Sequence, residues 1–111
     1  LSDIPSAKKV TMARLRSMLN RIAALQRRAK RAAAHSPQLR LSRDELLVTL
    51  AVLRHACLRA RFAKRIGDRQ TLGRDIRRIM TAHRKLWLKR NRPGGLVQSL
   101  AHYQRCLREY A

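Results

Sequence analysis

At 111 residues the chain is expected to form one domain or less, since domains usually run to about 100–200 residues, with no room for a second, catalytic domain. Its 27 Lys and Arg against 6 Asp and Glu leave a formal charge of +21; such a chain repels itself on compaction unless a polyanion lies against it, so nucleic acid or an anionic surface is the expected partner class. Apolar residues make up 45% of the chain, mostly Leu and Ala with one Trp, one Phe and two Tyr, which suits small helix-on-helix cores and excludes a membrane span, for which no apolar run approaches roughly 18 residues.

Residues 1–40 are rich in Arg, Ala and Ser with Asp3 as the only acid, a composition that fits an organellar transit peptide and equally a basic RNA-contacting helix. Within them the spacing Leu15, Met18, Ile22, Leu25, Ala29 follows one face of a helix over about 10–34, and Arg14, Arg16, Arg21, Arg27, Arg28, Lys30 and Arg31 cover much of the remainder. His35-Ser36-Pro37 is expected to break it, because Pro37 lacks an amide donor and disfavours helical geometry at Ser36.

Ser42-Arg43-Asp44-Glu45 has the form of a capping box, so a second helix is expected from Arg43 to about residue 66. Leu46, Leu50, Leu53 and Cys57 line one of its faces, Leu47, Ala51 and Leu58 broaden it, and Gly67 supplies a stop. Residues 67–71 make a short polar connection of the length that joins antiparallel helices. A third helix, about 72–91, carries Ile76, Ile79, Met80, His83, Leu86 and Trp87 on its apolar side, with Gly73 near its start. Pro93-Gly94-Gly95 punctuates the chain, and Val97, Leu100, Tyr103, Leu107 and Tyr110 then predict a last helix over about 96–110. The expected class is all-α: a central antiparallel hairpin (43–66 and 72–91) with flanking amphipathic helices (10–34 and 96–110), organised as an N-terminal extension 1–40, a hairpin 41–91 and a C-terminal extension 92–111.

Catalytic chemistry has little to work with. The acids are Asp3, Asp44, Glu45, Asp68, Asp75 and Glu109, and capping explains the adjacent Asp44 and Glu45 better than acid–base work does. His35, His55, His83 and His102 are scattered, and Cys57 and Cys106 share no metal-ligand spacing and build no disulfide framework. No Gly-rich phosphate loop is present, so no cofactor and no catalytic residue is expected, and phosphate binding falls to side chains. Arginine supplies that chemistry, because its planar guanidinium forks onto phosphate oxygens and stacks on bases. Arg54, Arg59, Arg61, Arg65, Arg69, Arg74, Arg77, Arg78 and Arg84 surround the expected hairpin and are its candidate RNA-binding residues. A solvated face normally mixes both signs and this one scarcely does. RNA is favoured over DNA because no DNA-binding spacing is visible and structured RNA is gripped through backbone and shape. Trp87, Tyr103 and Tyr110 could stack on bases, but at helical spacing among leucines they read as core.

Ser42-Arg43-Asp44-Glu45-Leu46, Leu58-Arg59, Gly67 and Ile76-Arg77-Arg78 together resemble ribosomal protein twenty-nine of the large subunit, bacterial type, over about residues 41–89. That family opens its first helix on Ser-x-acidic-Glu-Leu, closes it on Leu-Arg before a turn that often holds Gly, and carries an apolar residue before Arg-Arg in its second helix. Beyond Arg78 the family shows Ala-Arg and then Thr, where this chain has Thr81-Ala82, Arg84 and Lys85. The resemblance implies a non-enzymatic helical hairpin on large-subunit ribosomal RNA near the peptide exit tunnel, beside neighbouring ribosomal proteins and with no small-molecule substrate. On it, Arg59, Arg77 and Arg78 neutralise phosphates, while Leu46, Leu50, Leu58, Ile76 and Ile79 hold the helices together. The extensions suit a mitochondrial ribosome, with a cytoplasmic or plastid ribosome as alternative. The competing readings are another basic helical subunit of a ribonucleoprotein and, from a different class, a membrane-surface or partner-docking helical adaptor.

Overall fold

Two helical hairpins, joined by a short polar link, make up the described chain. A computed structural model describes residues 10–90 and 94–111, and among these every regular element is an α-helix: α1 Met12–Arg31, α2 Pro37–Ala63, α3 Arg69–Arg90 and α4 Leu96–Tyr110. The all-α class expected from the periodicity is therefore what forms. The chain divides into compact units Leu1–Asp68 and Arg69–Ala111, with α1 packed on α2 in the first and α3 on α4 in the second. The extension reading of residues 1–9, the expected end of the third helix at Asn91 and the punctuating role of Pro93 lie outside the described residues.

In the first unit, α1 begins where Thr11 accepts a hydrogen bond from the Arg14 amide at 3.1 Å, an N-cap that satisfies one of the orphan donors of the first turn. Leu15, Ile22 and Ala29 are buried at seven-residue spacing, with half-buried Met12 ahead of Leu15 and half-buried Leu19 between Leu15 and Ile22, the three-four alternation of a seam between two helices. The helix stops at Arg31, three residues before the sequence expectation, as Ala32 turns extended. Arg28, Lys30 and Arg31 sit in its last turn, where cations complement the dipole. From α2, the Arg43 and Arg40 guanidiniums donate to the carbonyls of Ala32 and Ala34, each at 3.4 Å, and tie down the connection.

The second helix starts six residues earlier than the capping box at Ser42 indicates. Ser36 is the N-cap, accepting from the Leu39 amide at 3.1 Å, and Pro37 is the first helical residue. Pro is favoured there because its fixed φ suits the helix and its missing amide costs nothing, and it also pushes the preceding residue into the extended conformation that an N-cap adopts. The motif at Ser42 therefore lies inside α2. At the other end the stop is not Gly67. Lys64 is the C-cap and Arg65 takes a left-handed φ of 64°, while the amides of Arg65 and Ile66 return to the carbonyls of Phe62 and Arg61 at 2.8 and 3.0 Å. This is a Schellman closure built on an arginine. Gly67, with φ 96°, turns the chain two residues later.

In the second unit, Leu72, Gly73, Ile76 and Ile79 of α3 are buried, as are Cys106 and Tyr110 of α4. Gly73 faces α4 with room to spare: a Cβ there would lie 3.8 Å from Leu107 Cδ1, an ordinary contact. Gly95 caps α4 at φ 88°, and a Cβ there would meet Trp87 Cζ2 at 3.3 Å, so both backbone and neighbour call for glycine.

Within its own unit each central helix packs on a flanking one, α2 on α1 through a heptad seam and α3 on α4, which brings its tyrosines.

Candidate nucleic-acid interface

The nine candidate arginines fall on two hairpins rather than one. Arg54 is exposed on α2; Arg59 and Arg61 are half-buried on the same helix, and Arg65 is exposed just beyond it. Arg54 and Arg61 share a face, while Arg59 lies about 140° round the helix from Arg54. Arg69, Arg74, Arg77, Arg78 and Arg84 are all exposed on α3. Of these, Arg69 opens the helix and stands about 140° away from Arg74.

The arrangement that gathers charge is on α3. At 3.6 residues per turn, Arg74, Arg77, Arg78, Arg84 and Lys85 occupy about 120° of arc and about 16 Å of helix axis. They stand opposite the buried Leu72, Ile76 and Ile79. Arg77, Arg78, Thr81, Ala82 and Lys85 line a shallow depression along this row. Thr81 spends its hydroxyl on the Arg77 carbonyl at 3.1 Å, and Thr71 Oγ1 lies 3.4 Å from Arg74 Nη2. The only acid in the helix, Asp75, is buried about 60° round from Arg78, toward the core. A surface of one sign, with small side chains between long cationic ones, can follow a phosphate backbone. Lys85 was missed as a site residue, although its spacing of seven from Arg78 and eight from Arg77 places it in the row.

The titratable and aromatic side chains of α3–α4 pack against one another. His83 hydrogen-bonds through Nε2 with Ser99 Oγ, and its ring lies 6.2 Å from Trp87 and 5.3 Å from Tyr103, centroid to centroid. Burial there lowers the His83 pKa, favouring neutral imidazole. Tyr103 is pushed up, first by burial and then by the charge of Cys106, and burial also raises the Cys57 thiol. His102 contacts Tyr103 ring to ring at 5.9 Å and Cys106 Sγ at 3.9 Å. Trp87 and Tyr103 are half-buried and Tyr110 is buried, which makes them core rather than base-stacking residues. Among the described residues no group of His, Cys, Asp and Glu could hold a metal ion, and no helix is long and apolar enough to cross a membrane.

Set against protein-family models, curated proteins and solved structures, the chain finds no match.

Proposed function

We propose that the chain is a structural, non-enzymatic component of the large ribosomal subunit that binds ribosomal RNA, with the cationic row of α3 as its principal contact. The single observation that carries RNA binding is that row: exposed cations at Arg74, Arg77, Arg78, Arg84 and Lys85, with the helix's only acid turned inward. The net charge of +21 supports the same reading. Placement near the exit tunnel, beside other large-subunit proteins and in a mitochondrial ribosome, rests on the resemblance carried by Ser42-Arg43-Asp44-Glu45-Leu46, Leu58-Arg59 and Ile76-Arg77-Arg78 and on the basic composition of residues 1–40.

The test is sedimentation of tagged protein from gently lysed cells and isolated organelles, with and without RNase. Co-migration with large subunits, lost on RNase treatment, is the expected result. Migration with other ribonucleoproteins, or as free or membrane-bound protein indifferent to RNase, overturns the ribosomal reading. In vitro, replacing Arg77 and Arg78 together with Ala is expected to weaken RNA binding at all sequences and to lower the slope of log K against log salt by about 1.4–1.8, the equivalent of two phosphate contacts. An unchanged slope removes both residues from the interface.

A further inference from the structure

The α1–α2 hairpin leaves apolar side chains uncovered along one edge. Met18 and Leu25 of α1 are 42% and 47% exposed, and Leu46 and Leu53 of α2 are 49% and 50% exposed. Each pair is spaced by seven residues and lies beside a buried one, about 60° round α1 from Leu15 and Ile22 and about 40° round α2 from Leu50 and Cys57. Met18 and Leu53 line the same groove, whose floor is formed by Leu15, Ile22, Cys57 and Ala60. Exposed leucines scattered singly are ordinary, but Met18 and Leu53 stand together on an apolar groove, an unusual feature of a highly charged chain.

The rim says what the groove takes. Arg21 lines it, and Arg14 and Arg28, one heptad to either side on the same face of α1, are also exposed. The corresponding edge of α2 carries Ser42, Thr49 and Ala56, small and uncharged. The groove is therefore apolar at its centre, cationic along one side and open along the other. We infer that it is a docking site for an amphipathic helix of a protein partner, with Leu or Met at i, i+3, i+4 and i+7 filling the groove and Asp or Glu along the flank that meets Arg14, Arg21 and Arg28. A second copy of this chain fits poorly, since its own edges offer Arg14, Arg21 and Arg28 or the uncharged Ser42, Thr49 and Ala56, and no acidic flank to meet the arginine rim. The site is separate from the α3 row and does not depend on what that row binds.

The probe is a synthetic helical peptide of about 18 residues, long enough for both heptads, with a Leu stripe flanked on one side by Glu. It is titrated by fluorescence anisotropy against the full, RNA-free chain at about 0.15 M salt, where long-range attraction is screened. The expected result is saturable binding that weakens about tenfold or more with Leu53→Ser or Met18→Ser. It should also weaken when the peptide's Glu residues are replaced by Lys, and when its residues are scrambled at constant charge. Both substitutions fall on exposed side chains, and an unchanged helical circular dichroism spectrum separates a lost site from a lost fold. Equal binding of the scrambled peptide, or of the two variants, overturns the inference by reducing the interaction to bulk charge. Self-association in sedimentation equilibrium that Leu53→Ser abolishes overturns it in favour of a second copy. Tighter binding to phosphatidylserine vesicles than to the peptide, lost with the same substitution, overturns it in favour of a lipid surface.

Discussion

The two hairpins are built from similar helices and finished differently. In α3–α4 the seam is closed by shape-specific groups: Trp87 against Gly95, His83 between Trp87 and Tyr103, and Tyr110 buried at the end of the chain. In α1–α2 the seam is closed by Leu, Ile, Ala and Cys in heptad register, and the residues one step round remain in solvent. Aliphatic heptads specify where two helices meet and leave their edges available to a third, whereas aromatic and polar contacts consume the edge. One hairpin thereby supports a charged row and exposes only Leu88 and Val97 among its large apolar described residues; the other keeps Met18 and Leu53 together on an apolar groove.

The comparison can be broken most directly with one residue type at two depths. Ile76→Ala in α3 and Ile22→Ala in α1 both delete buried methylenes, a change that costs about 2–5 kcal/mol depending on how far the site collapses. Because Ile22 borders the open groove, its neighbours can close in, so its cost is expected at the lower end and that of Ile76 at the upper. Urea midpoints, read with amide exchange on each hairpin, check the order; the reverse order would remove the distinction.

Next in size is Gly95→Ala, which puts a Cβ against Trp87 and a non-glycine residue at φ 88°. A loss of about 1–3 kcal/mol is expected, with amide exchange rising first at the start of α4. Gly73→Ala works in the opposite direction. Its new methyl would find ordinary contacts, 3.6 Å to Arg77 Nη1 and 3.8 Å to Leu107 Cδ1, so the gain in helix propensity of about 0.5–1 kcal/mol should appear as a higher Tm.

The smallest effect is that of pH. Burial holds the His83 pKa below its ordinary value of 6.5, so the unfolded chain takes up this proton first. The contribution is fully present above about pH 6.5 and is lost as pH falls through the lower folded value. His83→Gln should flatten that acid-side decline in α3–α4; a decline of unchanged slope would assign it to other groups.

Much of this was legible in the sequence. Helical periodicity located all four helices, and the α3 row follows from cations at three, four and seven residues. The start of α2 misled because two N-cap signals, Ser36-Pro37 and Ser42 to Glu45, lie six residues apart, and Pro37 reads as a breaker of the preceding helix as readily as the opener of the next. An apolar stripe does not name its partner: Met18, Leu25, Leu46 and Leu53 have the spacing of the buried residues, and only the position of the seam separates them. Lys85 was within reach of spacing alone.

Each hairpin also holds one buried cysteine, Cys57 between α1 and α2 and Cys106 between α3 and α4, each 3% exposed and outside any disulfide. A thiol in such a place meets an alkylating reagent only when its own hairpin opens, so labelling at the two positions clocks the two openings separately within one molecule. A chain that has lost its partner and begun to loosen would thus carry a lasting chemical record of which half gave way first.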